Sequence, residues 1–209
     1  MTDAMSSAPV TTAIPTVSAR ELPEETLLVL VVNSGSSSLK YQVRELTLDG
    51  EDAPDPVVTK GLVERIGVPG SGVADHAAAL AQVEEEIAAV IGDRRLAAAG
   101  HRVVHGGERF HAPALVTNEV IRAIERLAPL APLHNPAAAQ GLRAVAQRWP
   151  DLPQVVVFDT SFHQSMPREA WQYALPDELY TEHGIRRYGF HGTSHDLVTG
   201  LAARHLGME

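Results

Sequence analysis

The 209-residue chain is long enough for one large domain or two small ones, and with 44% hydrophobic residues it can build a core. A formal net charge of −9 excludes a surface made for nucleic acid but leaves room for a local phosphate site. The absence of cysteine excludes a disulfide framework, a thiolate nucleophile and a cysteine metal centre.

Residues 1–26, rich in Ala, Ser, Thr and Pro, lack the basic start and apolar run of a secretion signal. They read as the disordered N-terminal tail of a soluble cytoplasmic protein. No later stretch is long and apolar enough to cross a bilayer. Residues 27–32 are uninterrupted apolar and fit a strand buried on both faces. The following NSGSSSLK turn leads into a second strand ending near Leu48. A Walker loop would lead into a helix instead. A turn between antiparallel strands can aim N–H groups and the Ser36 and Ser38 hydroxyls at an anion. Lys40 adds a compact charge suited to phosphate, and Asn33 offers an oxygen to a magnesium-bound water. A ligand-free Ser/Gly hairpin turn fits the same residues.

Residues 49–56 form a loop, 57–66 a third strand, and 67–72 a turn. Residues 74–91 show apolar spacing of threes and fours, an amphipathic helix. Residues 96–104 form a strand that runs into His105-Gly106-Gly107. Asn118 caps a short helix to Leu127. The three prolines of residues 128–136 make a turning loop, and residues 137–149 a helix. Residues 154–158 form a buried strand ending at Asp159. Residues 161–188 carry turn signals and one short helix near Pro176. Ser194 or Thr193 caps a last helix over 196–206. Strands alternating with helices after an antiparallel start give an α/β class. Asn33, the glycines after Val104, and Asp159 all follow strand ends, where open α/β sheets place ligands.

Four further segments carry more chemistry than packing requires. Arg102 lies inside an apolar strand and needs an anionic partner, which a purely structural acid would also satisfy. His134 sits in a proline loop, Asp159 after a buried strand, and His191 and His195 near a helix start. Singly, these histidines fit core or surface positions as well as functional ones, and Asp159 fits a cap. His191 and His195 are the close histidine pair at helical spacing, but no H-E-x-x-H pattern supports a zinc site.

Taken in order, NSGSSSLKYQ, GHRVVHGGERF, LAPLHNPAA, VVFDTSFH and YGFHGTSH resemble the N-terminal half of the acetate kinase family, from about Leu27 to the chain end. Propionate kinases share these motifs. The resemblance implies the actin/Hsp70/sugar-kinase (ribonuclease H-like) fold, a mixed sheet flanked by helices, with two domains closing over a cleft. It implies reversible phosphoryl transfer from ATP to acetate, giving acetyl phosphate and ADP, with Mg²⁺ or Mn²⁺, in a cytoplasmic enzyme that is usually a homodimer. It matches Asn33 to the metal-site asparagine, and Ser36, Ser38 and Lys40 to the phosphate turn, with ATP contact at Lys40. Arg102 matches the carboxylate-binding arginine, and Asp159 the active-site acid. His134 and His191 match the histidines beside the transferred phosphoryl. Val104, Leu133 and Phe190 match the pocket for the substrate methyl group.

A carboxylate substrate is already ionised near neutral pH, so no proton need be removed for it to attack. Asp159 is therefore expected to orient Arg102 or a magnesium water rather than act as a base. The chain ends at Glu209, before the HLGNG-like nucleotide turn, the second catalytic arginine and the metal-binding glutamate of the family. Residues 27–209 are thus expected to be the carboxylate-binding domain, with the second, nucleotide-binding domain largely absent and little activity in this polypeptide alone. The competing expectations are a non-catalytic phosphate- or partner-binding fragment, and a propionate- or butyrate-type kinase.

Overall fold

The computed structural model describes residues 26–47 and 56–208. The tail expected over 1–26 lies outside these residues except for Thr26, and the loop expected over 49–56 lies outside them except for Pro56.

β1 (Thr26–Ser34) and β2 (Ser38–Thr47) form an antiparallel hairpin, in register from Thr26 opposite Thr47 to Ser34 opposite Leu39. The serine turn therefore leads into a strand, as its flanking residues predict. β3 (Val57–Glu64) pairs antiparallel with β2. β4 (Leu96–Val103) runs parallel to β1, and β6 (Gln154–Phe158) parallel to β4. A two-residue strand that the sequence did not suggest, β5 (Ala114–Leu115), closes the edge, giving the order β3-β2-β1-β4-β6-β5. The expected α/β class with a mixed sheet is present.

Three helices cover one face of this sheet. α1 (His76–Ile91) begins at Asp75, whose carboxylate accepts from Ala78 N, and buries Ala79, Leu80, Val83 and Ile87 at helical spacing. They meet Leu28, Leu30 and Val32 of β1 and Leu39, Tyr41 and Val43 of β2. α2 (Asn118–Arg126) and α3 (Asn135–Arg148) cover Val103, Val156 and Phe158. Phe110 stacks on Phe158 with centroids 4.3 Å apart. Each fully buried Leu or Val here contributes about 1.5–3 kcal/mol.

The other face corrects one expectation. β1 is not buried on both sides, because Val31 is 39% exposed. Among the helices on that side, α6 (Gly192–Leu206) packs on β6 and the 3₁₀ turn Ser161–Ser165, leaving the β1–β2 region open. The open face thus presents Asn33, Lys40 and Arg102 from neighbouring strands, with Asp159 buried behind Arg102. Among the described residues no helix is long and apolar enough to cross a membrane.

Several boundaries also differ. Thr117, not Asn118, caps α2, its hydroxyl accepting from Val120 N at 3.2 Å. The proline-rich 128–136 stretch is not all loop. It contains the 3₁₀ turn Ala128–Leu130 and the first residues of α3, where Pro136 fits because the first helical turn needs no N–H partner. Residues 161–188 hold α4 (Arg168–Trp171) and α5 (Asp177–Thr181) as well as a 3₁₀ turn. The last helix starts at Gly192 without a side-chain cap from Thr193 or Ser194.

Candidate active site at the carboxyl edge of the sheet

The parallel strands β1, β4 and β6 point their carboxyl ends to one edge. A cavity of about 200 Å³ lies there, lined by Asn33, Ser34, Gly35, Ser38, Lys40, Arg102, Val104, His134 and Ala138. This volume falls below that of sites enclosing a whole nucleotide and suits small anionic groups.

Arg102 is the centre of the geometry. Its Nε donates to Asp159 Oδ1 at 2.9 Å and its Nη2 to Asp159 Oδ2 at 2.6 Å. The Asp159 side chain is 1% exposed, whereas that of Arg102 is 35% exposed and reaches the cavity. The carboxylate keeps the guanidinium protonated above its ordinary range. Among the described residues no acceptor takes the Nη1 hydrogens, so one side of the fork is fixed and the other is available to a second carboxylate. The structural-acid reading of Arg102 accounts for only two of its five N–H donors.

The frame around this pair comes from three other segments. Asn135, fully buried at the start of α3, accepts from His105 N at 3.2 Å and donates to His105 O at 2.9 Å. It thereby bolts the β4 exit to α3 and sets His134 at the cavity wall. Gly141 lets α3 approach β1, since a Cβ there would lie 2.0 Å from Ser34 Oγ. His191 takes a left-handed conformation, φ +56°, at the entry to α6. This turn sends Gly192 N to Asp159 O at 2.9 Å and leaves His191 Nδ1 3.8 Å from Asp159 Oδ2. A Cβ on Gly192 would sit 2.2 Å from that carbonyl, so only glycine fits. Two neighbouring histidines are buried and neutral and do not line the cavity. Burial pushes His101 and His105 down to about 4, and His105 Nδ1 accepts from Gly107 N at 3.0 Å.

The candidate residues are not all gathered in the cavity. Asn33, Ser38, Lys40, Arg102, Val104 and His134 line it, and Asp159 and His191 lie behind and beside Arg102. Ser36 is exposed at the tip of the turn. Leu133, 74% exposed, and Phe190, 42% exposed, stand outside the lining, with Phe190 edge-on to His105. Ser34, Gly35 and Ala138 line the cavity without having been singled out. Ser34 and Gly35 lie inside the serine-rich motif, while Ala138 carries no chemical signal of its own.

The donor set is all oxygen and neutral at Asn33 and Ser38, with both Asp159 oxygens engaged by Arg102. That fits a hydrated divalent cation held mainly by substrate phosphate rather than a closed protein cage.

The profile of the acetokinase family matches residues 28–209. The chain belongs to the acetokinase family. An acetate kinase of Micrococcus luteus is 80% identical over 182 residues, covering 87% of this chain and 47% of that protein. The crystal structure of Porphyromonas gingivalis acetate kinase superposes with a TM-score of 0.78 at 38% identity, covering 88% of this chain and 50% of that one. A propionate kinase structure from Francisella tularensis gives a TM-score of 0.71 at 34% identity over 88% of this chain and 50% of that one. The chain thus spans about half the length of the curated relatives it matches, and its fold is of the actin/Hsp70/sugar-kinase class implied by the motifs.

Proposed function

We propose that this chain supplies the carboxylate-binding wall of a kinase that moves a phosphoryl group between ATP and acetate. The observation that carries the reading is the half-occupied guanidinium of Arg102, held by a buried carboxylate and open to a small cavity. An acetate carboxylate pairs with the free side of Arg102 and rests its methyl group near Val104, with Leu133 and Phe190 closing over it. The serine turn and Lys40 receive the phosphoryl group at the opposite wall. One acetate oxygen attacks the γ-phosphorus in line, the bond from that phosphorus to the β,γ-bridging oxygen breaks, and ADP leaves with the electron pair. No proton changes hands. His134 and His191 stabilise charge on the equatorial phosphoryl oxygens. Asn33 would hold Mg²⁺ through a bound water, and the ion would supply neutralisation of phosphate charge.

Asp159 keeps Arg102 in place and does not act as a base, since both of its oxygens already accept from that guanidinium. Substrate length is set by an apolar pocket, which discriminates by only about 1–3 kcal/mol per methylene, so this reading does not separate acetate from propionate. In the full enzyme we place the chain in a cytoplasmic homodimer. Alone it is expected to bind anions with little turnover, because Leu197, Val198 and Leu201 of α6 and the open sheet face stand uncovered beside a one-sided cavity.

The test joins this chain in frame to the second half of the Micrococcus luteus relative. ATP- and acetate-dependent acetyl phosphate, trapped as the hydroxamate, is expected from the chimera, and its loss with Arg102→Gln. A chimera that folds and hydrolyses ATP without acylating hydroxylamine from acetate, propionate or butyrate would refute the proposal.

A further inference from the structure

The serine turn has a partner outside every motif so far considered. His76, the first residue of α1 and buried, places Nε2 2.9 Å from the carbonyl oxygen of Gly35. A carbonyl only accepts, so Nε2 carries the hydrogen. The contact joins residues 41 apart in sequence.

Its consequence follows from the planarity of the peptide. In a trans unit the C=O of Gly35 and the N–H of Ser36 point in opposite directions, and no cis bond occurs among the described residues. Holding the carbonyl toward α1 therefore turns the Ser36 N–H away from α1. Two other carbonyls of the turn are engaged too. Ser37 O accepts from Ile66 N at 3.0 Å and Ser38 O from Gly35 N at 2.7 Å. Among the described residues nothing accepts from the N–H groups of Ser36 or Ser37. The turn is thus polarised: three of its carbonyls accept from protein donors while two of its amide donors remain unmet. Gly35, Ser38 and Lys40 line the cavity, and the two successive unpaired amides stand at the exposed tip of the same turn, an arrangement that can take an anion.

We propose that His76 is a positioning residue for this site, fixing the Gly35–Ser36 peptide so that the turn presents amide donors, and not a carbonyl, to a phosphate. The proposal rests on the kinase reading above for its ligand but concerns only the phosphate wall, not Arg102. A freely rotating Gly35–Ser36 peptide would spend part of its time with its carbonyl toward the ligand, repelling it.

The test uses the 209-residue chain, labelled with ¹⁵N and titrated separately with inorganic phosphate and with acetate. Phosphate is expected to shift the Ser36 and Ser37 amides of the wild type saturably. His76→Leu is expected to weaken phosphate binding about five- to tenfold, the value of one oriented hydrogen bond, while acetate affinity stays within twofold. His76→Gln, whose amide nitrogen can occupy the Nε2 position, should restore most of the loss at unchanged thermal stability. Phosphate binding by His76→Leu within twofold of wild type would overturn the proposal. So would wild-type phosphate binding that leaves Ser36 and Ser37 unshifted, a readout that needs no variant to fold. Acetate binding without phosphate binding would sink this inference and spare the carboxylate reading, whereas failure of both ligands would sink both.

Discussion

Replacing Asp159 with Asn separates an orienting carboxylate from a general base. Both oxygens accept from Arg102, at 2.9 and 2.6 Å, from a side chain 1% exposed. Breaking one partner of a buried ion pair costs about 3–5 kcal/mol. Arg102 is 35% exposed, so water softens the loss, and the Asn oxygen keeps one acceptor. The amide NH₂, however, turns two hydrogens toward a guanidinium that can only donate. We expect a destabilisation of about 2–3 kcal/mol, measured by urea unfolding of the isolated chain. The double variant Asp159→Asn, Arg102→Gln should cost less than the sum of the two single effects, with a coupling of about 1–3 kcal/mol. In the chimera, a displaced Arg102 should lower kcat/KM for acetate about 10²-fold. The rate of hydroxamate formation is followed from about pH 6 to about pH 9. The orienting role predicts that the deficit is the same throughout. Recovery of the wild-type rate by alkali alone, or a coupling near zero, would refute it.

Other consequences can be checked on the isolated chain. Burial holds His101 and His105 at about 4 in the folded state, below the ordinary histidine value, so the unfolded chain binds more protons between about pH 6.5 and pH 4. Stability should be complete above that window and fall on acidification by up to about 1.4 kcal/mol per pH unit for each histidine, with His101→Gln removing one share of the slope in urea titrations. Gly141→Ala should destabilise by about 1–3 kcal/mol by driving a methyl group into Ser34, and Ser34→Gly in the same chain should recover most of it. Asn135→Ala should cost about 2–4 kcal/mol, because it strands the His105 backbone groups in the core, and should lower acetate affinity by loosening His134.

The sequence revealed the parts of the fold that depend on local pattern. The hairpin could be read from apolar alternation on both sides of a small-residue turn, and α1 from apolar spacing beyond Asp75. What it hid depends on partners far along the chain. The last helix begins at Gly192 because the Asp159 carbonyl takes its first N–H, a contact no local cap rule contains. β5 is too short to carry a period, and exists because its two residues meet Val155 and Val156. The open face of β1 could not be told from a covered one, since six apolar residues in a row look alike in either setting.

The site divides the same way. Arg102 stood out because a guanidinium inside an apolar strand demands an anion, and the structure supplies Asp159. The sequence could not say that only one side of Arg102 would be used. It could not say that His76 would reach back to Gly35, nor that Leu133 and Phe190 would stand clear of the cavity. Those facts come from how α1, α3 and α6 are seated, not from the residues' own chemistry.

The most direct measurement is an acetate titration of the isolated chain, observed at the Arg102 side-chain N–H signals and the Val104 methyl groups. Saturable shifts at both, absent in Arg102→Gln, are the predicted result. Saturable acetate binding that leaves Arg102 and Val104 unshifted, or that survives Arg102→Gln, would contradict the assignment of this cavity to the carboxylate substrate.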